Sequence, residues 1–176
     1  MAEPLVRPAL RSDLAEITAI YNHYVEAGPV TFDVRIFSES DREAWFGQFA
    51  MHGAHRLLVV EEDGAVQGYA GSMPFRSKPA YATSVEATIY VASECQGRGH
   101  ATRLYEALFS ALADQDLNRI LAGITLPNDP SIRLHERFGF RKIGVFTEVG
   151  RKHDQYWDVA WYERSSATWE RPLRSV

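Results

Sequence analysis

Cysteine is nearly absent: Cys95 is the single one among 176 residues. No intrachain disulfide can form, and the expectation is a reducing compartment. A basic excess is absent as well. Lys and Arg number 19 against 23 Asp and Glu, for a net charge of −4, and no basic run occurs. That excludes the electrostatic footprint of a nucleic-acid binder. No apolar run is long enough to cross a bilayer, so no membrane partner is expected. The opening MAEPLVRPALRSDL lacks the basic, apolar and small-residue succession of a secretory signal, and the expectation is a cytoplasmic protein. His52, His55 and His153 show no metal-ligand spacing, so no metal is expected. There is no internal repeat and no linker. Residues 1–164 are read as one domain, and 165–176 as a loose tail. Hydrophobic residues make up 45% and charged residues 24%, enough for a soluble domain with its own core.

What is present has clear periodicity. Leu5–Arg7 reads as a short strand. Ser12 is placed to cap a helix running to about Glu26, with Leu14, Ile17, Ile20, Tyr21 and Tyr24 on one face. AGPVTFDVRIF, with Gly28 and Pro29, reads as a loop. Ser38 and Asp41 form a capping box for a second helix to about Ala50. RLLVVEE and VQGYAGSM flank the turn EDGA, a hairpin signal. PFRSKPAY is a loop. TSVEATIYV alternates, with Val85, Ala87, Ile89 and Val91 on one side and Glu86, Thr88 and Tyr90 on the other. A helix over about Gly97–Asp114 buries Leu104, Tyr105, Leu108 and Leu112. RILAGITL is a buried strand, and Ser131–Phe138 is a helix that Gly139 ends. FRKIGVFTEV and YWDVAWYER are the last strands. The order is β-α-α-β-β-β-α-β-α-β-β, a mixed α/β sheet with a parallel, right-handed passage from Thr83 to Leu126.

ECQGRGHATRLYEAL poses the functional question. Glycine is a poor helix former, yet Gly97 and Gly99 precede a good amphipathic helix. One reading is a plain loop. The other is an anion site, because the first N–H groups of a helix lack partners and carry the positive end of its dipole.

This order, with Gln96-Gly97-Arg98-Gly99-His100-Ala101 after an apolar strand, resembles the GNAT superfamily of acyl-CoA-dependent N-acetyltransferases. IYNHYV, TFD, AWF, GYAGSMPFR, AYATSVEATIYV and AGITLPNDPSIRLHERFGF are similar to its phosphinothricin and methionine sulfone/sulfoximine branch, over about residues 4–163. The sequence departs from that branch at RKHDQYWD, Arg151–Asp158, where FKFGRWLD is usual, and at VEATIYV, where VEHSVYV is frequent. The first departure falls where it can reshape the acceptor pocket or a dimer contact.

The resemblance implies a GNAT-like, mostly antiparallel sheet with a parallel βαβ cofactor-binding core and flanking helices. It implies acetyl-CoA as acyl donor, with the pyrophosphate on the backbone of Gln96, Gly97, Arg98, Gly99, His100, Ala101 and Thr102. The pantetheine arm would pair with Ile89, Tyr90 and Val91. Asn128 would hold the pantetheine, although Asn at that place is equally a helix N-cap. Glu86 would be the general base, its pKa raised by partial burial, and otherwise a solvated or salt-bridged glutamate. His135 stands where many relatives carry a tyrosine that protonates the CoA thiolate. A lone helical histidine is as readily structural. Arg76, with Phe75 and Tyr81, would meet the carboxylate of an amino-acid acceptor, and Thr31 and Phe32 would close the pocket, with Glu86 at its reacting end. Cys95 reads as a partly exposed turn residue rather than a nucleophile. Relatives of this kind are commonly homodimers, with the aromatic C-terminal strand as the interface. The function so implied is direct acetyl transfer to the amine of a small amino acid or analogue. A peptide or protein N-acetyltransferase and a non-catalytic acyl-CoA sensor are the alternatives.

Overall fold

The LLVV run is buried throughout because both faces of its strand are covered. Leu58 and Val60 enter one core cluster, and Leu57 and Val59 enter the other. The computed structural model describes residues 3–166. Its elements follow the expected order: β1 (Leu5–Pro8), α1 (Leu14–Ala27), α2 (Glu39–Phe46), β2 (Leu57–Glu62), β3 (Ala65–Pro74), β4 (Ser84–Val91), α3 (His100–Leu112), β5 (Arg119–Thr125), α4 (Asp129–Arg137), β6 (Arg141–Lys152) and β7 (Gln155–Ser165). The strands form one sheet ordered β1-β2-β3-β4-β5-β7-β6. Every neighbouring pair is antiparallel except β4–β5. This is the mixed, mostly antiparallel sheet with a parallel βαβ core that the sequence led us to expect.

One face of the sheet carries α3, whose Leu104, Tyr105, Leu108, Phe109 and Leu112 pack on Val85, Ala87, Ile120, Ala122 and Ile124. The other face carries α1, with Ile17, Ile20, Tyr21 and Val25 over Val59 and Tyr69. The β2–β3 hairpin turns through Asp63 (φ 52°) and Gly64 (φ 81°), the doubly left-handed turn that an Asp-Gly pair favours.

Several boundaries differ from expectation. Ser12 does not begin the first helix. A 3₁₀ turn over Arg11–Asp13 comes first, and Asp13 occupies the cap position. The Asp13 carboxylate is taken by Arg7, at 2.7 and 2.9 Å, and by the Leu10 N–H at 2.7 Å. The second helix does have its Ser38/Asp41 capping box but ends at Phe46. Helix α3 begins at His100 because Gly99, at φ 86°, is its left-handed cap. Helix α4 starts at Asp129, so Pro130 lies inside the first turn, where its missing N–H costs nothing. Strand β6 extends past Val149 to Lys152. Ser165 ends β7, and buried Ser166 donates its hydroxyl to the Leu117 carbonyl, so neither is loose. The remainder of the expected tail, 167–176, lies outside the described residues.

The tip of the β6–β7 hairpin reaches across to the loop between α1 and α2. Lys152 is buried and its Nζ donates to the Thr31 carbonyl at 2.8 Å. Gly150 lies against Phe32 so closely that a Cβ there would sit 2.2 to 2.6 Å from three ring carbons. Gly150→Ala should therefore lower stability by about 1–3 kcal/mol through overpacking. Thermal denaturation should show the loss, and adding Phe32→Ala should recover part of it. An unchanged Tm in Gly150→Ala would mean that the ring moves aside without cost.

Candidate active site

Strands β4 and β5 pair only at their beginnings. The parallel register runs Ser84↔Arg119, Val85↔Ile120 and Glu86↔Leu121, and stops there. Beyond it, β4 stays with β3 as far as Gly68↔Val91, and β5 stays with β7 as far as Thr125↔Val159. A gap thus opens in the middle of the sheet. The Ser84 carbonyl and the Ala92 N–H bond toward the β3 side, to Phe75 and Gln67. By alternation, the peptide groups of Ala87, Ile89 and Val91 face the gap. Those of Thr88 and Tyr90 face β3. Of the three backbone positions expected along the pantetheine, Ile89 and Val91 are turned to the gap. Tyr90 offers its side chain there instead. A cavity of about 440 Å³ passes through the split, with Tyr21, Arg42, Tyr69, Glu86 and Tyr90 among its lining on one side and Tyr105, Ile124, Asn128 and His135 on the other.

The glycine loop lies beyond the end of β4. Gly97 (φ 76°) and Gly99 (φ 86°) are both left-handed, and no atom lies within 4 Å of where either Cβ would be. Their backbone is therefore open on the outer side. The first-turn N–H groups of His100, Ala101 and Thr102 have no intrahelical acceptor by construction. Two side chains of this loop meet the Glu62 carboxylate, one exposed and one buried. Arg98 pairs with Glu62 at 3.0 Å, and His100 is buried with its Nε2 3.5 Å from the same carboxylate. Any anion here is met chiefly by backbone. Gln96 donates to the Tyr24 hydroxyl at 3.0 Å, which in turn donates to the Val91 carbonyl and ties the loop to the strand end. Cys95 is buried rather than partly exposed, 3.0 Å from Gln67 Oε1. It does not line the cavity.

Glu86 stands at the last paired position of β4, at the base of the split. Burial raises its pKa, and the Arg76 guanidinium partly offsets the rise. Thr88 and Tyr90 share its face. Burial pushes the Tyr90 hydroxyl up to about 12, so it is held as a neutral phenol. The other expected acceptor residues are dispersed. Exposed Arg76 lies over the Phe75 ring, 4.9 Å from its centroid. Phe75 in turn packs edge-on against Tyr81 and Trp161. Thr31 is buried, bonded to the Tyr21 hydroxyl at 2.6 Å, and braces the wall. None of Thr31, Phe32, Phe75, Arg76 and Tyr81 lines the cavity itself; Val30, Asp33, Phe37, Arg42 and Trp45 do.

Asn128 holds both of its readings open in one geometry. Its Oδ1 accepts from the Ser131 N–H at 3.2 Å and caps α4. Its Nδ2 remains able to donate to a ligand. His135 is buried between Ser131 and Tyr105. Its Nδ1 lies 2.7 Å from the Ser131 carbonyl, which can only accept, so Nδ1 carries the proton. Nε2 then accepts from the Tyr105 hydroxyl at 2.9 Å. Burial lowers the His135 pKa, so the ring is neutral. Tyr105 reads from the sequence as core. The available signal is that a buried tyrosine hydroxyl requires a partner, and a buried histidine is a fitting one.

A sheet opened between its only parallel strands, with a glycine turn and helix N-terminus beyond the opening, is the frame of an acyl-CoA-dependent acetyltransferase. The sequence profile of the acetyltransferase (GNAT) family matches residues 17–140, and the chain belongs to that family. It is 52% identical to a phosphinothricin N-acetyltransferase of Streptomyces coelicolor, over 93% of this chain and 96% of that protein. It is 32% identical to an L-methionine sulfoximine/L-methionine sulfone acetyltransferase of Salmonella typhimurium, over 90% of this chain and 92% of that one. Among solved structures, a phosphinothricin acetyltransferase of Sinorhizobium meliloti in complex with AcCoA superposes with a TM-score of 0.87 at 30% identity, covering 98% of this chain and 95% of that one.

The two buried imidazoles have a consequence for stability. Burial holds both His100 and His135 below the ordinary histidine value. Their stabilisation is complete above the unfolded pKa of about 6.5 and is lost as pH falls below it. Glu86, shifted upward, acts in the opposite sense. The check is therefore a difference: the fall in urea midpoint from pH 7.5 to 5.5 should be smaller in His135→Gln than in the parent. Equal falls would show that His135 is not buried neutral.

Proposed function

We propose that the protein transfers the acetyl group of acetyl-CoA to the primary amine of a small amino acid or amino-acid analogue, by direct attack while both substrates are bound. The observation that carries this is the split between β4 and β5, with Glu86 at its base and one cavity continuous through it. The residues present fit acetyl-CoA. The gap-facing peptide groups of Ile89 and Val91 suit an extended amide chain, and Asn128 lines the same cavity as Ile89. The open backbone from Gln96 to Thr102 suits a pyrophosphate.

When bound, acetyl-CoA supplies the activated acetyl thioester. Glu86 accepts the proton that an ammonium must shed before it can attack, through a water, and its raised pKa suits it to that task. A gap-facing N–H of Ile89 or Val91 is the oxyanion donor; a donor so placed lowers an acyl-transfer barrier by about 3 kcal/mol. His135 and Tyr105 form the polar corner on the sulfur side. Because the neutral ring donates to Ser131, the Tyr105 O–H is the group that can turn to a developing thiolate. Arg76 stands near Glu86, at the acceptor end.

Names of relatives that act on phosphinothricin and on methionine sulfoximine or sulfone support this acceptor class. We further propose a single domain working in the cytoplasm as a homodimer. The edge strand β6 and its partner leave Ile143, Val145, Phe146, Val149 and Tyr156 exposed, an apolar surface suited to a second copy. Among the described residues no helix is long and apolar enough to cross a membrane. A peptide acceptor is less well served, because Val30, Asp33 and Phe37 from the α1–α2 connection cover the cavity.

The test is CoA-thiol release from acetyl-CoA with phosphinothricin, methionine sulfoximine, methionine sulfone, common amino acids, polyamines and a short peptide. Release with an amino acid or analogue is expected. Release only with the peptide, or binding of acetyl-CoA with no release, would overturn the proposal. Glu86→Gln should lower kcat/KM by about 10²-fold or more while calorimetry shows acetyl-CoA affinity retained. Arg76→Ala removes the charge that offsets burial, so the acid limb of the pH profile should move to higher pH. A limb that stays in place would separate Glu86 from the titrating base.

A further inference from the structure

The side of the cavity away from the sulfur corner holds polar groups that the protein itself leaves unsatisfied. Arg42, from the middle of α2, is only 6% exposed. Its Nε and Nη2 have no hydrogen-bond partner. The hydroxyl of Tyr69, fully enclosed on β3, meets no partner in good hydrogen-bond geometry, and the Arg42 guanidinium is the charge beside it. Both residues line the cavity that Glu86 lines. The guanidinium is held between rings, 3.8 Å from the Trp45 centroid and 4.3 Å from that of Tyr21. Cation–π contact offsets part of the cost of burying this charge, and it fixes the direction of the fork.

The two aspartates of the lining have partners of their own. Asp33 accepts from the Tyr21 hydroxyl. Asp41 accepts from the Ser38 N–H at 2.8 Å and the Ser38 hydroxyl at 2.7 Å. Neither forms an ion pair with Arg42, and Arg42 Nε and Nη2 stay without a partner among the described residues. A buried guanidinium and a buried phenol, both donors, ask for one kind of guest: a group rich in acceptors and negatively charged.

We propose that Arg42 and the Tyr69 hydroxyl hold an oxyanion of the acceptor, a carboxylate or a phosphinate, and so decide which amines are taken. This rests on the acetyl-transfer reading above and deepens it. The amine end of the acceptor lies toward Glu86 and the anionic end toward α2. Arg76, exposed on its loop, is then a rim charge beside the reacting end. The guest is oriented by its two ends, which is what brings the amine to the split rather than leaving it to diffuse in the pocket.

The test measures phosphinothricin, methionine sulfone and methionine sulfone amide, each by calorimetry and by CoA-release kinetics. The wild type should prefer each acid over the amide. Arg42→Met should reduce that preference by about tenfold to a hundredfold, in KM and in calorimetric affinity alike. Tyr69→Phe removes one oxygen and no packing, and should give a smaller loss of the same kind. It also decides the matter, with the wild-type comparison, if Arg42→Met does not fold. Loss confined to phosphinothricin would identify the phosphinate as the bound oxyanion. Equal loss for both acids would identify the α-carboxylate. Robust turnover in both variants, with neither phosphinothricin nor methionine sulfone losing ground to the amide, would overturn the proposal and leave the acetyltransferase reading intact. Arg42-dependent binding of the acids with no CoA release would do the reverse.

Discussion

The early end of the β4–β5 pairing is the constraint on which the site depends. After Glu86↔Leu121 each strand keeps its outer neighbour and loses its inner one. The sheet therefore remains held on both sides while its centre is open. Peptide groups facing such a gap cannot be left without partners at no cost. The Val91 carbonyl is met by the Tyr24 hydroxyl. The groups nearer the split are left for water or a ligand. An extended chain of amides is the natural guest, because it satisfies them as a missing strand would.

The opening also separates two chemical environments. Alternation along β4 sends Val85, Ala87 and Ile89 toward α3, and Glu86, Thr88 and Tyr90 toward α1 and α2. The α3 side holds the neutral His135–Tyr105 pair. The α1 and α2 side holds Glu86, Arg42 and the tyrosines. A reaction that needs a base for one partner and a neutral, hydrogen-bonding environment for the other finds both within one cavity. The shift of Glu86 follows from its place at the closed end of the split, where burial outweighs the influence of exposed Arg76.

The order of elements was legible in the sequence because periodicity and turn chemistry agreed with each other. The Asp63-Gly64 turn, the Ser38 capping box and the alternation of TSVEATIYV each state a local preference that the fold keeps. Boundaries were less legible where a side chain had a better partner elsewhere. Asp13 is drawn to Arg7, so the expected cap at Ser12 gives way to a 3₁₀ turn. In the candidate site, the loop and the start of the helix around Gly97 and Gly99 could be read, because glycine is a poor helix former and both glycines fall on left-handed positions. The contributions of Arg42 and Tyr69 could not. On their own elements they look like a charge on a short polar helix and a tyrosine in a buried strand. Only the packing of α2 against β3 makes them neighbours. Arg98 illustrates the converse: a loop arginine that invites a phosphate role is turned to Glu62.

The acceptor end of the cavity is assembled from parts far apart in the chain, and this bears on where the sequence departs from its resembling branch. The stretch Arg151–Asp158 contains the tip of the β6–β7 hairpin. Lys152, which the usual FKFGRWLD also carries at this place, grips the Thr31 carbonyl, and Gly150, one residue before the stretch, admits the Phe32 ring. Thr31 in turn bonds Tyr21, whose hydroxyl also reaches Asp33 and whose ring lies under Arg42. The hairpin is thus joined to the guanidinium by a short series of direct contacts. It supports the loop from which Val30, Asp33 and Phe37 line the cavity, and Tyr21, bonded to that loop through Thr31, is the seat of Arg42.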